Sequence, residues 1–143
     1  MRKIRSAQNY LSTLLLVIII SCTRDANIVV TTPPALDSTA VVKYIGSFIN
    51  GPYGSVTGTA EIVKQDTTFA LRLKSFSSSS GPDLHVYLSQ EKLPVNFIDL
   101  GSLRSKSGDQ AYSIPRTTNL TLYKYALIHC KAYNHLFGSA ELQ

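Results

Sequence analysis

The sequence predicts an all-β protein with a single β-sandwich or jelly-roll-like domain. Three observations carry this. β-branched and aromatic residues come in short runs, Gly, Pro, Ser and Asn clusters punctuate them about every ten residues, and no stretch shows a helical stripe of usable length. Strict alternation marks the clearest runs. In Thr57–Val63, Ala60 and Ile62 share one face while Thr59, Glu61 and Val63 share the other. In Thr68–Phe76, Phe69, Leu71 and Leu73 oppose Ala70, Arg72 and Lys74. In Asp83–Ser89, Leu84, Val86 and Leu88 point inward, leaving His85, Tyr87 and Ser89 opposite. A half-buried strand needs this pattern, because successive side chains leave opposite faces. "FIDLGSL", "AYSIP" and "YALIHCKAY" supply further strands.

The domain is expected over 44–143, behind two shorter segments. Arg2, Lys3 and Arg5 precede an apolar run, Leu11 to Ile20, that is shorter than the roughly 20 residues a membrane span needs. It ends at Ser21-Cys22, and "IISC" resembles a bacterial lipobox. Residues 1–21 therefore read as a lipoprotein signal peptide. Residues 22–43, rich in Thr, Pro, Ala and Asp, read as a lipidated N-terminus with a flexible tether extended around Pro33-Pro34. Two acyl chains on Cys22 would hold the protein at a membrane without a transmembrane helix. The expected location is the cell envelope, at the outer membrane or facing the periplasm.

The formal charge of +5 belongs largely to the leader, since removing its three cations leaves 11 basic against 9 acidic residues. That balance gives no footprint for nucleic acid. Gly51, Gly54 and Gly58 precede no helix and form no phosphate loop. The serine-rich turn Ser75–Asp83 lacks a nucleophile elbow, and no hydrolase or transferase motif appears. His85, His129 and His135 lack metal-ligand spacing. His85 shares a face with Asp83 and Tyr87, either a polar surface or a shallow site. Asn119 opens a glycosylation sequon that a bacterial cell normally leaves unread.

Cys130 remains. On a strand from Tyr123 to Tyr133 it shares a face with Ala126, Ile128 and Ala132, while His129 points to the other side and is a poor partner for a shared metal. With Cys22 acylated, Cys130 has no mate in the chain, and an oxidising compartment asks for a reason. Two readings stand. One is a buried, inert core thiol. The other is a redox or ligating thiol.

Four strings, "GSFINGPYGSVTGTAEIV", "GPDLHVYLS", "IDLGSLRSKSGDQAYSIP" and "YKYALIHCKAYNHLFGSAEL", have the order and spacing of the DM-thirteen domain family, which the chain resembles from Tyr44 to Leu142. The resemblance implies a β-sandwich-like domain with a role in electron transfer. It also implies a signature cysteine, here Cys130, acting as a redox thiol or as a ligand to haem. The family's cysteine tail falls on Cys130, Lys131, Tyr133, Phe137, Gly138 and Ala140, and its turn falls on Gly81, Pro82, Asp83 and Leu84. This chain carries His129 where the family commonly has Trp, and Tyr53 and Ser55 where many members have a hairpin His. The expected function is a membrane-anchored extracytoplasmic redox module with an unknown partner. The alternative is an envelope-displayed binding module, with Tyr53, Tyr87, Tyr112, Tyr125 and Tyr133 as an exposed aromatic face.

Overall fold

A computed structural model describes residues 39–143, so the leader, Cys22 and most of the tether lie outside the described residues. Eight strands follow in order: β1 (Val41–Asn50), β2 (Val56–Gln65), β3 (Thr68–Ser78), β4 (Leu84–Ser89), β5 (Phe97–Ser102), β6 (Gln110–Ile114), β7 (Tyr125–Cys130) and β8 (His135–Glu141). All pairings are antiparallel, in the order β5-β4-β7-β8-β1-β2-β3-β6. The all-β expectation holds. No helix among the described residues is long and apolar enough to cross a membrane.

β1 makes this one nearly closed sheet rather than two. Its first part, Val41 to Ser47, pairs with β2, and its last, Phe48 to Asn50, pairs with β8. At the crossing the backbones nearly touch. A Cβ on Gly46 would lie 2.0 Å from the Glu141 carbonyl oxygen, so only glycine fits there. The connections from β3 to β4, β5 to β6 and β6 to β7 run between the half containing β2, β3 and β6 and the half containing β4, β5, β7 and β8.

The alternating residues fill the space between these halves. Ala60 and Ile62 from β2, Leu71 and Leu73 from β3, Val86 and Leu88 from β4, and Ala126, Ile128 and Cys130 from β7 belong to one buried cluster. Phe76 also joins it, although alternation from Leu73 would turn it outward. The reason is a bulge: Thr59 pairs with Lys74 and Thr57 with Ser77, so β3 carries one extra residue, with Ser75 at φ 47° and Gly58 at φ 104°.

The outer face of β4 is not solvent-facing as alternation suggests. His85, Tyr87 and Ser89 are all buried, and Tyr87, Leu127 and Leu136 form a second apolar cluster flanked by Tyr125. Phe97 covers Tyr87 from β5, its ring stacked 4.3 Å away.

Candidate functional site

β7 ends at Cys130, earlier than the Tyr133 end read from the sequence, and Lys131 to Asn134 form an exposed turn. Cys130 therefore stands on the last rung of its sheet. Its ladder partners are Leu84, the first residue of β4, and His135, the first of β8. Side chains directly opposite in a ladder touch, so Leu84 and His135 flank the thiol on either side. The Asp83 carbonyl closes the rung by accepting from the Lys131 N–H at 2.9 Å.

Above that rung lies a cover built by glycines. The register between β7 and β8 slips so that Phe137 is an extra residue opposite the Ile128–His129 step, and its ring enters the core. A Cβ on Gly54 would meet the Phe137 ring at 2.3 Å, and one on Gly81 would meet Leu84 at 2.7 Å and Phe137 at 2.9 Å. The two turns thus press their bare backbones onto Phe137 and Leu84. Beside them Tyr53 lies flat on His135, with ring centroids 3.7 Å apart. The Tyr53 N–H donates to the Leu136 carbonyl, which holds this hairpin tip against β8.

Most of the residues singled out in the sequence meet at this end, while Ala140 lies farther along β8 opposite Ala126. Gly81, Pro82, Asp83 and Leu84 form the turn over Cys130, Lys131 and Tyr133 form the turn after it, and Phe137 enters the cover. Gly138 and Ala140 continue β8, where Gly138 gives Val56 its room. Cys130 itself is 1% exposed and is the free cysteine among the described residues.

These surroundings do not fit a haem. An axial thiolate needs an open flat space above the sulfur, whereas Cys130 is enclosed by apolar side chains. It lines none of four surface clefts of about 260 to 440 Å³. No His, Cys, Asp and Glu grouping among the described residues could hold a metal ion.

On the other face of the same strands lies a polar cluster that sequence reasoning found only in part. The alternation put Asp83, His85 and Tyr87 together. Asp99 and Ser102 come from β5, which pairs with β4 so that Ser102 faces His85 and Asp99 faces Tyr87. His85 Nδ1–H donates to Asp99 Oδ1 at 2.9 Å. Its Nε2 lies 3.2 Å from Asp83 Oδ1 and 3.3 Å from Ser102 Oγ. Burial alone would raise the Asp99 pKa. Hydrogen bonds from His85 and the Gly101 N–H, the His85 charge and a hydrogen bond from Lys131 more than offset it, holding the carboxyl below its ordinary value.

The Ser102–His85–Asp99 order is that of an acyl-transfer triad, but the setting opposes that chemistry. Asp83 competes for Nε2 and would repel a developing oxyanion, and the nearby Leu103 N–H is committed to the Leu84 carbonyl at 2.7 Å. The cluster instead clamps the turn over Cys130: Asp83 and Asp99 grip one imidazole, and Lys131 Nζ reaches Asp99 at 3.4 Å.

Next to this clamp, His129 is 4% exposed and its Nδ1 has no hydrogen-bond partner. Burial foremost, helped by the charges of His135 and His85, lowers its pKa against an opposing hydrogen bond with Asn134. It stacks on Tyr87 at 5.2 Å. Burial, then the charges of Asp99, Asp83 and Cys130, raise the Tyr87 pKa, so the phenol keeps its proton. The expected aromatic face is corrected here. Tyr87 and Tyr112 are buried, Tyr125 is half-buried, and only Tyr53 and Tyr133 of the five are open to solvent. Outer-face positions of a sheet covered by a neighbouring strand and loop cannot be told from open ones by alternation alone.

A family model described as electron transfer DM13 matches residues 47–142. The chain belongs to this family. No curated protein and no solved structure matches it. The DM13 match spans the first hairpin, the turn at Gly81 to Leu84 and the Cys130 rung, the parts that meet at the covered end of the sheet.

Proposed function

We propose that this DM13 domain serves electron transfer outside the cytoplasm, tethered to a membrane through a lipid on Cys22, with Cys130 as a covered redox thiol. The observation that carries the reading is the convergence of both signature turns on the last rung, where Leu84 and His135 stand opposite Cys130, Gly54 and Gly81 press on Phe137, and Tyr53 lies on His135. A thiol meant only for packing needs no such apparatus. With no second cysteine among the described residues, the exchange is with a partner's disulfide. The Cys130 thiolate attacks one partner sulfur and the partner's S–S bond breaks. A mixed disulfide forms, and the departing partner thiolate takes up a proton. Cys130 is oxidised and the departing sulfur reduced.

The test is exchange of native full-length protein with an aromatic disulfide. Reaction at Cys130 faster than global unfolding, and its loss in a folded Cys130→Ala chain, supports the reading. Reaction only at the unfolding rate sinks it. That outcome would favour the second reading, an envelope-displayed binding module whose Cys130 is a core thiol, for which the 1% exposure of Cys130 speaks.

A further inference from the structure

The end of the sheet opposite Cys130 has a loop built the wrong way round for water. Between β4 and β5, residues 90–96 are laced by internal hydrogen bonds. Gln90 N–H donates to the Asn96 carbonyl at 2.9 Å, and the Asn96 N–H and side-chain amide donate to the Glu91 carboxylate at 3.2 and 2.9 Å. The Ser89 hydroxyl reaches back to the Leu93 carbonyl at 3.2 Å. Beside exposed Glu91, Lys92 and Asn96 the loop holds large apolar side chains outward: Leu93 is 59% exposed and Val95 68%, and Phe97 follows at 41%. Ordinary loops do the reverse. A hydrogen-bonded loop that holds aliphatic side chains in solvent is shaped to meet an apolar phase.

Its place in the fold names that phase. Ser89 pairs with Tyr125, Tyr125 with Glu141, and Gln143 with Ile45, so the loop stands at the end where β1 begins. The tether arrives at that end. From Cys22 to Val41 the chain can reach at most about 65 Å, and it enters the domain at this end. Exposed Lys43, Lys64, Lys92, Arg116 and Lys124 lie at the same end against exposed Asp66, Glu91 and Glu141, a cationic excess that suits anionic headgroups.

We infer that the 90–96 loop is a second membrane contact, inserting Leu93 and Val95 into the bilayer interface. It turns the domain so that Cys130, roughly 17 Å away along β7 at 3.4 Å per residue, faces away from the lipid. This rests on the lipid anchor proposed above. The orientation keeps the covered thiol available to a soluble partner.

The chain contains no Trp, so one introduced indole reports alone. Lipidated full-length Leu93→Trp protein is reconstituted in phosphatidylethanolamine–phosphatidylglycerol vesicles with brominated acyl chains, beside Tyr133→Trp as the opposite-end probe. The expected result is a blue-shifted Leu93→Trp emission, quenched severalfold by the bromolipid, with Tyr133→Trp unquenched. Flotation with vesicles but no quenching at position 93 overturns the insertion while leaving the anchor standing. Failure to float overturns the anchor and the insertion together. A shift that follows protein concentration rather than bromolipid makes a second copy the occupant and also overturns the insertion.

Discussion

Leu84→Ala separates a covered thiol from a core thiol. Leu84 is 7% exposed and stands directly opposite Cys130. Truncation removes three carbons at about 0.8 kcal/mol each, and adding a cavity contribution gives a total of about 3 kcal/mol. If Cys130 is reached when Leu84 swings away, the open form has already lost Leu84's contacts, and the substitution destabilises only the closed form. At 1.4 kcal/mol per factor of ten, the open population and the labelling rate rise about 100-fold. The control is Leu71→Ala in β3, fully buried and at least as costly, but paired with β2 and β6. Labelling is followed by mass spectrometry of the peptide carrying Cys130, with global stability from denaturant unfolding. Strong acceleration by Leu84→Ala with little by Leu71→Ala is expected. Equal acceleration by both would mean that the sulfur is exposed only on global unfolding, and the reasoning about the last rung would be refuted.

His129→Phe keeps the stack on Tyr87 and deletes the unpartnered Nδ1, a gain of about 1–3 kcal/mol that outweighs the roughly 0.5–1.5 kcal/mol of the lost Asn134 hydrogen bond. It should therefore stabilise the domain by about 1 kcal/mol in urea unfolding. Because the folded His129 pKa lies below its ordinary 6.5, the unfolded chain binds the extra proton first. Its contribution is complete above about pH 6.5 and is lost as pH falls toward the folded value, so His129→Phe should flatten the stability profile in that window. Asp99, also lowered, keeps its contribution above 3.8 and loses it as pH falls through its folded value. Asp99→Asn should therefore remove part of the remaining acid slope in the same titration. Gly46→Ala drives a methyl into the Glu141 carbonyl and should cost at least about 3 kcal/mol by thermal or denaturant melting. Arg72→Leu strands Glu61, whose side chain is 9% exposed. It should cost about 2–3 kcal/mol, below the fully buried range because Arg72 keeps 24% exposure, and Glu61→Gln in the same chain should restore part of it.

The legible parts of the fold were those where one face is core and the other is not. Ala60 and Ile62, Leu71 and Leu73, and Val86 and Leu88 are buried as alternation requires. β8 escaped notice because "HLFGSAE" carries a bulge at Phe137 and a glycine, which erase the period of two. β1 was hidden for another reason: "VVKYIGSFIN" pairs along both edges while leaving Val41, Val42, Ile45 and Ile49 exposed, so its apolar residues mark no face. The site divides along the same line. Asp83 and His85 are two residues apart on one strand and could be seen together. Asp99 and Ser102 reach them only through the β4–β5 register, and Tyr53 reaches His135 only because β1 crosses to β8; neither is written in local spacing.

β1 is clasped along one edge by β2 and along the other by β8, and it is the first strand of the domain. A pull on the chain ahead of it would run lengthwise along it, so its ladder rungs would share the strain in shear instead of opening one after another like a zipper. The first strand to emerge thereby serves as the mechanical root of the domain. Tension applied there would be spent on β1 before it could disturb the far end, where the sulfur lies.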